Sequence, residues 1–253
     1  AAVLNAYSDA LGDSVTIYDM IVPNHFEYGL PSKYKGKIGK DEKPFLDLVK
    51  ENLNGKIVFV DIYDTLKTHY NKGEYLYFRT DHHWTSLGAY YAYCAWRGIE
   101  PNADEWTQEV LCNNCRGTTW NKVPLPTVPA EEITAWYKHE YRAVSYNGGE
   151  YKTNSIYERK YLSGSDQYAV FLNSNQAQTV ISGSRKSGKL LLIKDSYGNT
   201  FSQFPVEDYA EVHVLDLRFF KGDVTEYAKE NGITDTLVLY GTQSFVKDTR
   251  LRF

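Results

Sequence analysis

The sequence has no apolar run of 18 or more residues, which excludes a membrane-spanning helix within it. It has no excess of positive charge either. Twenty-eight Lys and Arg stand against 32 Asp and Glu, for a net charge of −4, which speaks against a nucleic-acid binder working through a broad basic face. Cysteine is scarce: three residues, two of them in Cys112-Asn-Asn-Cys115. One CxxC without a second Cys or His pair at ligand spacing is a weak zinc signal, and its irregular surroundings do not suit a redox motif. A local disulfide or two free thiols is the expectation. No signal peptide is visible at Ala1, so any targeting segment is expected to have been cut away. There is no internal repeat or low-complexity tract. What the chain does have is an ordinary globular composition, 42% hydrophobic and 24% charged over 253 residues. That length is enough to bury roughly three quarters of the unfolded surface without disulfide support. It also has 22 Tyr, twice the 11 Phe, and five Trp. Such rings suit carbohydrate grooves as well as cores.

Strand and helix patterns alternate along the first half. Residues 1–11 read as a helix closed by Gly12, 14–22 as a strand stopped by Pro23, and 42–53 as a helix with Phe45, Leu48, Val49 and Leu53 on one stripe. Ile57–Ile62 is the near-continuous apolar run of a buried parallel strand. Thr85 opens a helix that ends at Gly98. The last quarter resumes the alternation, with strands at 190–193, 211–217 and 236–240 and helices at 199–204 and 224–230. Repeated strand–helix–strand units imply an α/β fold with a mainly parallel sheet and helices on both faces. Residues 104–189 are richer in Tyr, Asn, Ser, Gly and Thr. They read as a β-rich insertion into one discontinuous α/β domain formed by 1–103 and 190–253.

Open parallel sheets place their chemistry beyond the carboxyl ends of the strands, and two segments stand there. Lys194-Asp-Ser-Tyr-Gly-Asn199 follows the strand at 190–193. A serine on such a turn is exposed, with backbone N–H groups at hand for an oxyanion. Taken alone, Asp195 or Ser196 would more simply be a helix cap. Arg79-Thr-Asp-His-His-Trp-Thr85 puts a carboxylate and two histidines just before a helix. In extended backbone residues i and i+2 share a side, so Asp81 and His83 would face one cleft, with His82 turned elsewhere in a supporting role of packing or backbone hydrogen bonding. The pair would supply the base and the orienting acid that a serine nucleophile needs. A metal site would need further ligands, and His25, His69, His139 and His213 fall in no ligand pattern, so no metal or other cofactor is expected. Gly12-Asp-Ser14 imitates a hydrolase signature but precedes its strand, and reads as a helix-ending turn. Trp106, Trp120, Trp136 and Tyr137 are candidates for an acceptor groove beside the site.

YFRTDHHWTSLGAYYAY (77–93) and LLLIKDSYGNTF (190–201), with VHVLDLRFF, TLVLYGTQSF, RGTTWNK and DQYAVFL in support, resemble the DHHW proteins of Gram-positive bacteria. These are relatives of the alginate O-acetyltransferases within the SGNH hydrolase superfamily. The likeness runs from about Val15 to the C-terminus. It implies a three-layer α/β/α fold and a serine acyl-transfer site, with Ser196 as nucleophile, His83 as base and Asp81 as orienting acid. The Asp-x-His pair precedes the serine here, the order of the acetyltransferase branch. The G-x-N-D oxyanion motif of that superfamily is missing, which leaves Tyr240, Arg218 and Gln243 as candidates for oxyanion or substrate contacts. The resemblance further implies O-acetyl transfer to a cell-envelope or secreted polysaccharide, with the acetyl donor supplied by a membrane acyltransferase. The location would be extracytoplasmic, secreted or anchored through a segment absent from this chain. A carbohydrate acetylesterase, or a non-catalytic glycan-binding or scaffold protein, would carry the same motifs.

Overall fold

The computed structural model describes residues 1–247. Among these residues ten strands are formed: β1 (Thr16–Val22), β2 (Ile57–Phe59), β3 (Thr107–Cys115), β4 (Glu131–Tyr137), β5 (Val144–Tyr146), β6 (Tyr151–Thr153), β7 (Gln178–Ser182), β8 (Lys189–Lys194), β9 (Glu211–Leu215) and β10 (Asp235–Gly241). Eight of them make one sheet in the order β2-β1-β10-β8-β9-β7-β5-β6. The first five are mutually parallel, and β7, β5 and β6 continue the sheet antiparallel beyond β9. Residues 104–189 therefore contribute both to the main sheet, through β5–β7, and to a separate two-stranded sheet, β3 with β4.

Alternation along the buried parallel strands fills both faces. On one face Met20, Leu192, Val214 and Leu239 meet Leu66, Ala89, Tyr93 and Phe201. These come from the helices Tyr63–Asn71, Ser86–Arg97 and Tyr197–Phe201. On the other face Ile17, Ile193, Leu215 and Val238 meet Leu4, Tyr7 and Leu11 of the helix Ala2–Leu11 and Val224 and Ala228 of the helix Val224–Glu230. The helix Lys43–Asn52 adds Leu46 and Val49 beside Ile21. The result is the three-layer α/β/α sandwich with a mainly parallel sheet that the alternation implied.

Local signals set the boundaries. Thr85 caps the helix Ser86–Arg97 by accepting the Gly88 N–H, and Gly98 ends it at φ 62°, a left-handed turn that glycine adopts freely. The strand expected at 57–62 is shorter, because the chain turns at Asp61 into the helix Tyr63–Asn71, whose first N–H is taken by the Asp61 carboxylate. Cys112 and Cys115 are disulfide-bonded, and Cys94 is a buried free thiol.

Candidate active site

Ser196 stands two residues past β8, a strand flanked by β10 and β9 within the parallel part of the sheet, at its carboxyl end. The turn around it is tied from several sides. Asp195 is fully buried and its carboxylate accepts the N–H groups of Tyr197 (2.9 Å) and Gly241 (2.9 Å). Burial raises its pKa above the usual carboxylate range. The Trp84 indole N–H donates to the Tyr197 carbonyl at 3.0 Å. With the neighbouring N–H groups so engaged, no acceptor among the described residues takes the Ser196 N–H, which stays available for a developing oxyanion.

The histidines arrive on a tight hairpin and not on an extended segment. Tyr77 and Trp84 form a bridge, and the Phe78 N–H donates to the His83 carbonyl at 3.1 Å. Within the bend the Asp81 carboxylate accepts the His83 backbone N–H at 3.1 Å. That local bond, more than strand alternation, turns both side chains to one side. His83 Nε2 lies 2.7 Å from Ser196 Oγ, and His83 Nδ1 lies 2.5 Å from Asp81 Oδ1. Asp81 Oδ2 accepts the backbone N–H and the hydroxyl of Thr118, each at 2.8 Å. Burial would raise the Asp81 pKa, but hydrogen bonding and charge from His83, the His82 ring and the Thr118 N–H outweigh it and hold the carboxyl well below its ordinary range. Asp81 therefore stays ionised, and its bond to Nδ1–H leaves Nε2 as the proton acceptor facing the serine.

His82 does not diverge from its neighbour. Its ring centroid is 3.8 Å from that of His83, while Tyr197 OH donates to the His82 carbonyl at 2.6 Å. Its side chain is 55% exposed, yet desolvation of the ring, with electrostatic repulsion from the His83, Lys122 and Arg218 side chains, pushes its pKa down against the pull of Asp81. Asp81, His82 and His83 bring ligand atoms within 4.8 Å of one another, a trio that could hold a cation. Within the trio His83 Nδ1 is hydrogen-bonded to Asp81, and His83 Nε2 is turned to Ser196.

The remaining candidates fall in different places. Gln243 lines, with Ser196, Asp81 and His82, an open cavity of about 650 Å³. Tyr240 does not line it. Alternation along β10 turns Tyr240 into the opposite core with Val238, so its hydroxyl is buried away from the nucleophile and Gly241 takes the cavity side. Arg218 is held by the Asp216 carboxylate, which also accepts Lys194, and reaches the site through charge without lining the cavity. Ser14 donates to the Leu11 carbonyl at the amino end of β1, the wrong end of the sheet for the site. None of the four aromatic candidates lines the cavity. Trp106 and Trp136 are buried against Tyr90 and Phe204, Trp120 lies 3.9 Å under the Arg116 guanidinium, and Tyr137 packs on Tyr157. Trp106 and Trp136 are thus used in covering the helix Ser86–Arg97.

Two contributors have no chemical signature in a single sequence. A Cβ on Gly117 would come within 2.3 Å of the Asp81 Cβ, so only glycine lets the Thr118 segment close over the carboxylate. Tyr168 stacks on His83 with centroids 3.7 Å apart and planes 2° apart. Their only mark is that RGTTWNK and DQYAVFL belong to the segments that carry the resemblance.

The three-layer α/β/α architecture thus carries a Ser–His–Asp chain at the carboxyl end of its parallel strands. The model of the DHHW protein family matches residues 1–105, and the fold matches that of a DHHW family protein from Eubacterium siraeum, with 27% identity and a TM-score of 0.87 over 99% of this chain and 85% of that one. These two findings show the DHHW resemblance read from the sequence. The fold is also similar to Bacillus cereus PatB1 carrying a sulfonyl adduct, with 20% identity and a TM-score of 0.80 over 100% of this chain and 90% of that one. It is more distantly similar to the O-acetyltransferase domain of Pseudomonas putida AlgJ, with 14% identity and a TM-score of 0.56 over 98% and 82% of the two chains. A comparison with curated proteins finds no match.

Proposed function

We propose that the protein is a serine-dependent O-acetyltransferase acting on a cell-envelope or secreted polysaccharide. The observation that carries this reading is the continuous chain Asp81–His83–Ser196, at 2.5 and 2.7 Å, opening into a cavity at the carboxyl end of a parallel sheet. Ser196 Oγ attacks the acetyl carbonyl of the donor while His83 Nε2 takes its proton, and ionised Asp81 stabilises the imidazolium. The Ser196 N–H meets the oxyanion, and Gln243 on the cavity wall offers a substrate contact. The leaving group departs with the proton from Nε2, which leaves acetyl-Ser196. A sugar hydroxyl then enters, gives its proton to Nε2 and attacks the acetyl carbonyl; the bond to Ser196 Oγ breaks as Oγ takes the proton back from Nε2, and the acetyl group leaves on the sugar. The O-acetyltransferase domain with a similar fold supports this reaction class, as does the sulfonyl adduct on another.

The acceptor would be a polysaccharide, with the acetyl group delivered by a membrane acyltransferase and the domain working outside the cytoplasm. No helix among the described residues is long and apolar enough to cross a membrane. The test is to preload the protein from an activated acetate ester and follow its discharge with and without envelope glycans. Discharge accelerated by glycan, with acetyl recovered on the sugar, supports transfer. Discharge at the water rate whatever glycan is present would make it an esterase.

A further inference from the structure

Tyr168 belongs to the 3₁₀ turn Gln167–Val170, between β6 and β7, and is buried. Its ring lies parallel to the His83 imidazole at 3.7 Å, and the His82 ring lies 3.8 Å from the same imidazole. One face cannot hold two rings at such distances, so His83 is sandwiched between them. The Tyr168 hydroxyl is bonded twice to the nucleophile's own segment. It donates to the Ser196 carbonyl at 2.9 Å and accepts from the buried Thr200 hydroxyl at 2.6 Å. Phe78 and Phe171 meet the ring at edge or tilted angles and fix its plane. One side chain thus holds the base by its face and the nucleophile's backbone by its hydroxyl. His83 cannot swing off Ser196 Oγ without leaving the stack, and the Ser196 turn cannot shift without pulling on the ring.

We infer that Tyr168 is a positioning residue of the acyl-transfer site, coupling the orientation of the His83 imidazole to the position of Ser196. The inference rests on the serine reading proposed above. A phenol face carries partial negative charge and favours a cation stacked on it, so the ring also stabilises the imidazolium formed when His83 takes the serine proton. The other groups facing His83 are Asp81 at Nδ1, His82 on the opposite face and Tyr197 at 5.2 Å, with the carboxyls of Asp166 and Asp195 within electrostatic reach. Burial keeps the Tyr168 phenol neutral throughout the working range.

The experiment compares Tyr168→Phe, Tyr168→Leu and Ser196→Ala in turnover of a small acetate ester across pH. Thermal unfolding of each variant is measured alongside. Tyr168→Phe keeps the stack and loses the two hydrogen bonds, so kcat falls a few-fold and the acid-limb midpoint of kcat/KM stays where it is. Tyr168→Leu loses the stack, so kcat falls about 10²-fold, as loosened geometry does, and the midpoint drops by roughly half to one pH unit. A residue with only a packing role would lower the unfolding temperature and leave the midpoint alone. The inference is overturned if Tyr168→Leu keeps its kcat and midpoint, or if Tyr168→Phe moves the midpoint as far as the unstacked variant does. Should Tyr168→Leu not fold, the Phe variant decides alone: a midpoint displaced by about half a pH unit or more overturns the inference, and an unmoved midpoint with a few-fold lower kcat upholds it. An active Ser196→Ala protein would sink the serine reading itself, whereas a dead Ser196→Ala protein beside an unimpaired Tyr168→Leu would remove only the role of Tyr168.

Discussion

Asp81→Asn is the sharpest perturbation of the relay, because the surroundings of the carboxylate dictate how an amide must sit. Asp81 Oδ2 accepts two donors from Thr118, both at 2.8 Å, and Oδ1 accepts the His83 backbone N–H at a longer 3.1 Å and the Nδ1–H at 2.5 Å. In the variant the amide oxygen stays with the two short Thr118 donors, and the amide NH₂ faces Nδ1 at the cost of the single longer bond from the His83 backbone N–H. The imidazole must then accept at Nδ1 and carry its proton on Nε2, where it can no longer receive the one from Ser196. The flipped amide would restore the tautomer, but it sets NH₂ against the Thr118 N–H, a buried mismatch of about 1–3 kcal/mol. It also lacks the negative charge that balances the imidazolium. Either way kcat for a small acetate ester should fall, by about 10⁴-fold for the wrong tautomer, with KM little changed and the fold intact by circular dichroism. A folded Asp81→Asn protein within tenfold of wild type would refute the relay.

Three further outcomes follow from the same packing. Gly117→Ala pushes a methyl into Asp81; turnover should fall about 10²-fold by displacement of the carboxylate, and an unimpaired variant would show that the Thr118 segment does not position it. The Asp19 carboxyl, buried in β1 with no hydrogen-bond partner among the described residues, is pushed up to about 7 by burial. Its folded pKa lies above the unfolded one, so stability is lost as pH rises from about 4 to 7, and the stability of Asp19→Asn relative to wild type should improve by about 3 kcal/mol between pH 5 and 8 in urea titrations. A gap that does not change with pH would contradict an unpartnered buried carboxyl. Ser14→Ala should leave ester turnover unaltered, and a dead variant would mean that the nucleophile has been misplaced.

The layers of the fold were legible because the parallel strands are short, nearly unbroken apolar runs, and because Gly98 and Thr85 mark helix ends by mechanisms visible in one residue. The strand-to-turn position of Ser196 and the pairing of Asp81 with His83 could be read for the same reason: each depends on local geometry. What could not be read depends on chain segments distant in sequence. The closing of Gly117 and Thr118 over Asp81, the stacking of Tyr168 on His83 and the burial of Trp106 and Trp136 are tertiary events between the insertion and the first half of the chain. His82 illustrates the limit of alternation. Extended backbone would have turned it away, but the hairpin bend folds it onto His83. Tyr240 shows the converse, since strand alternation itself carries its hydroxyl into the opposite core.

The central claim is that Ser196 carries the acyl group, and peptide mass spectrometry after brief incubation with an activated acetate ester at neutral pH tests it directly. One acetyl group should appear on the peptide containing Ser196 in the wild-type protein. It should be absent from Ser196→Ala and scarcely formed in His83→Gln, whose amide cannot take the serine proton at Nε2. Acetylation of another residue with Ser196 unmodified, or equal turnover by Ser196→Ala, would contradict it.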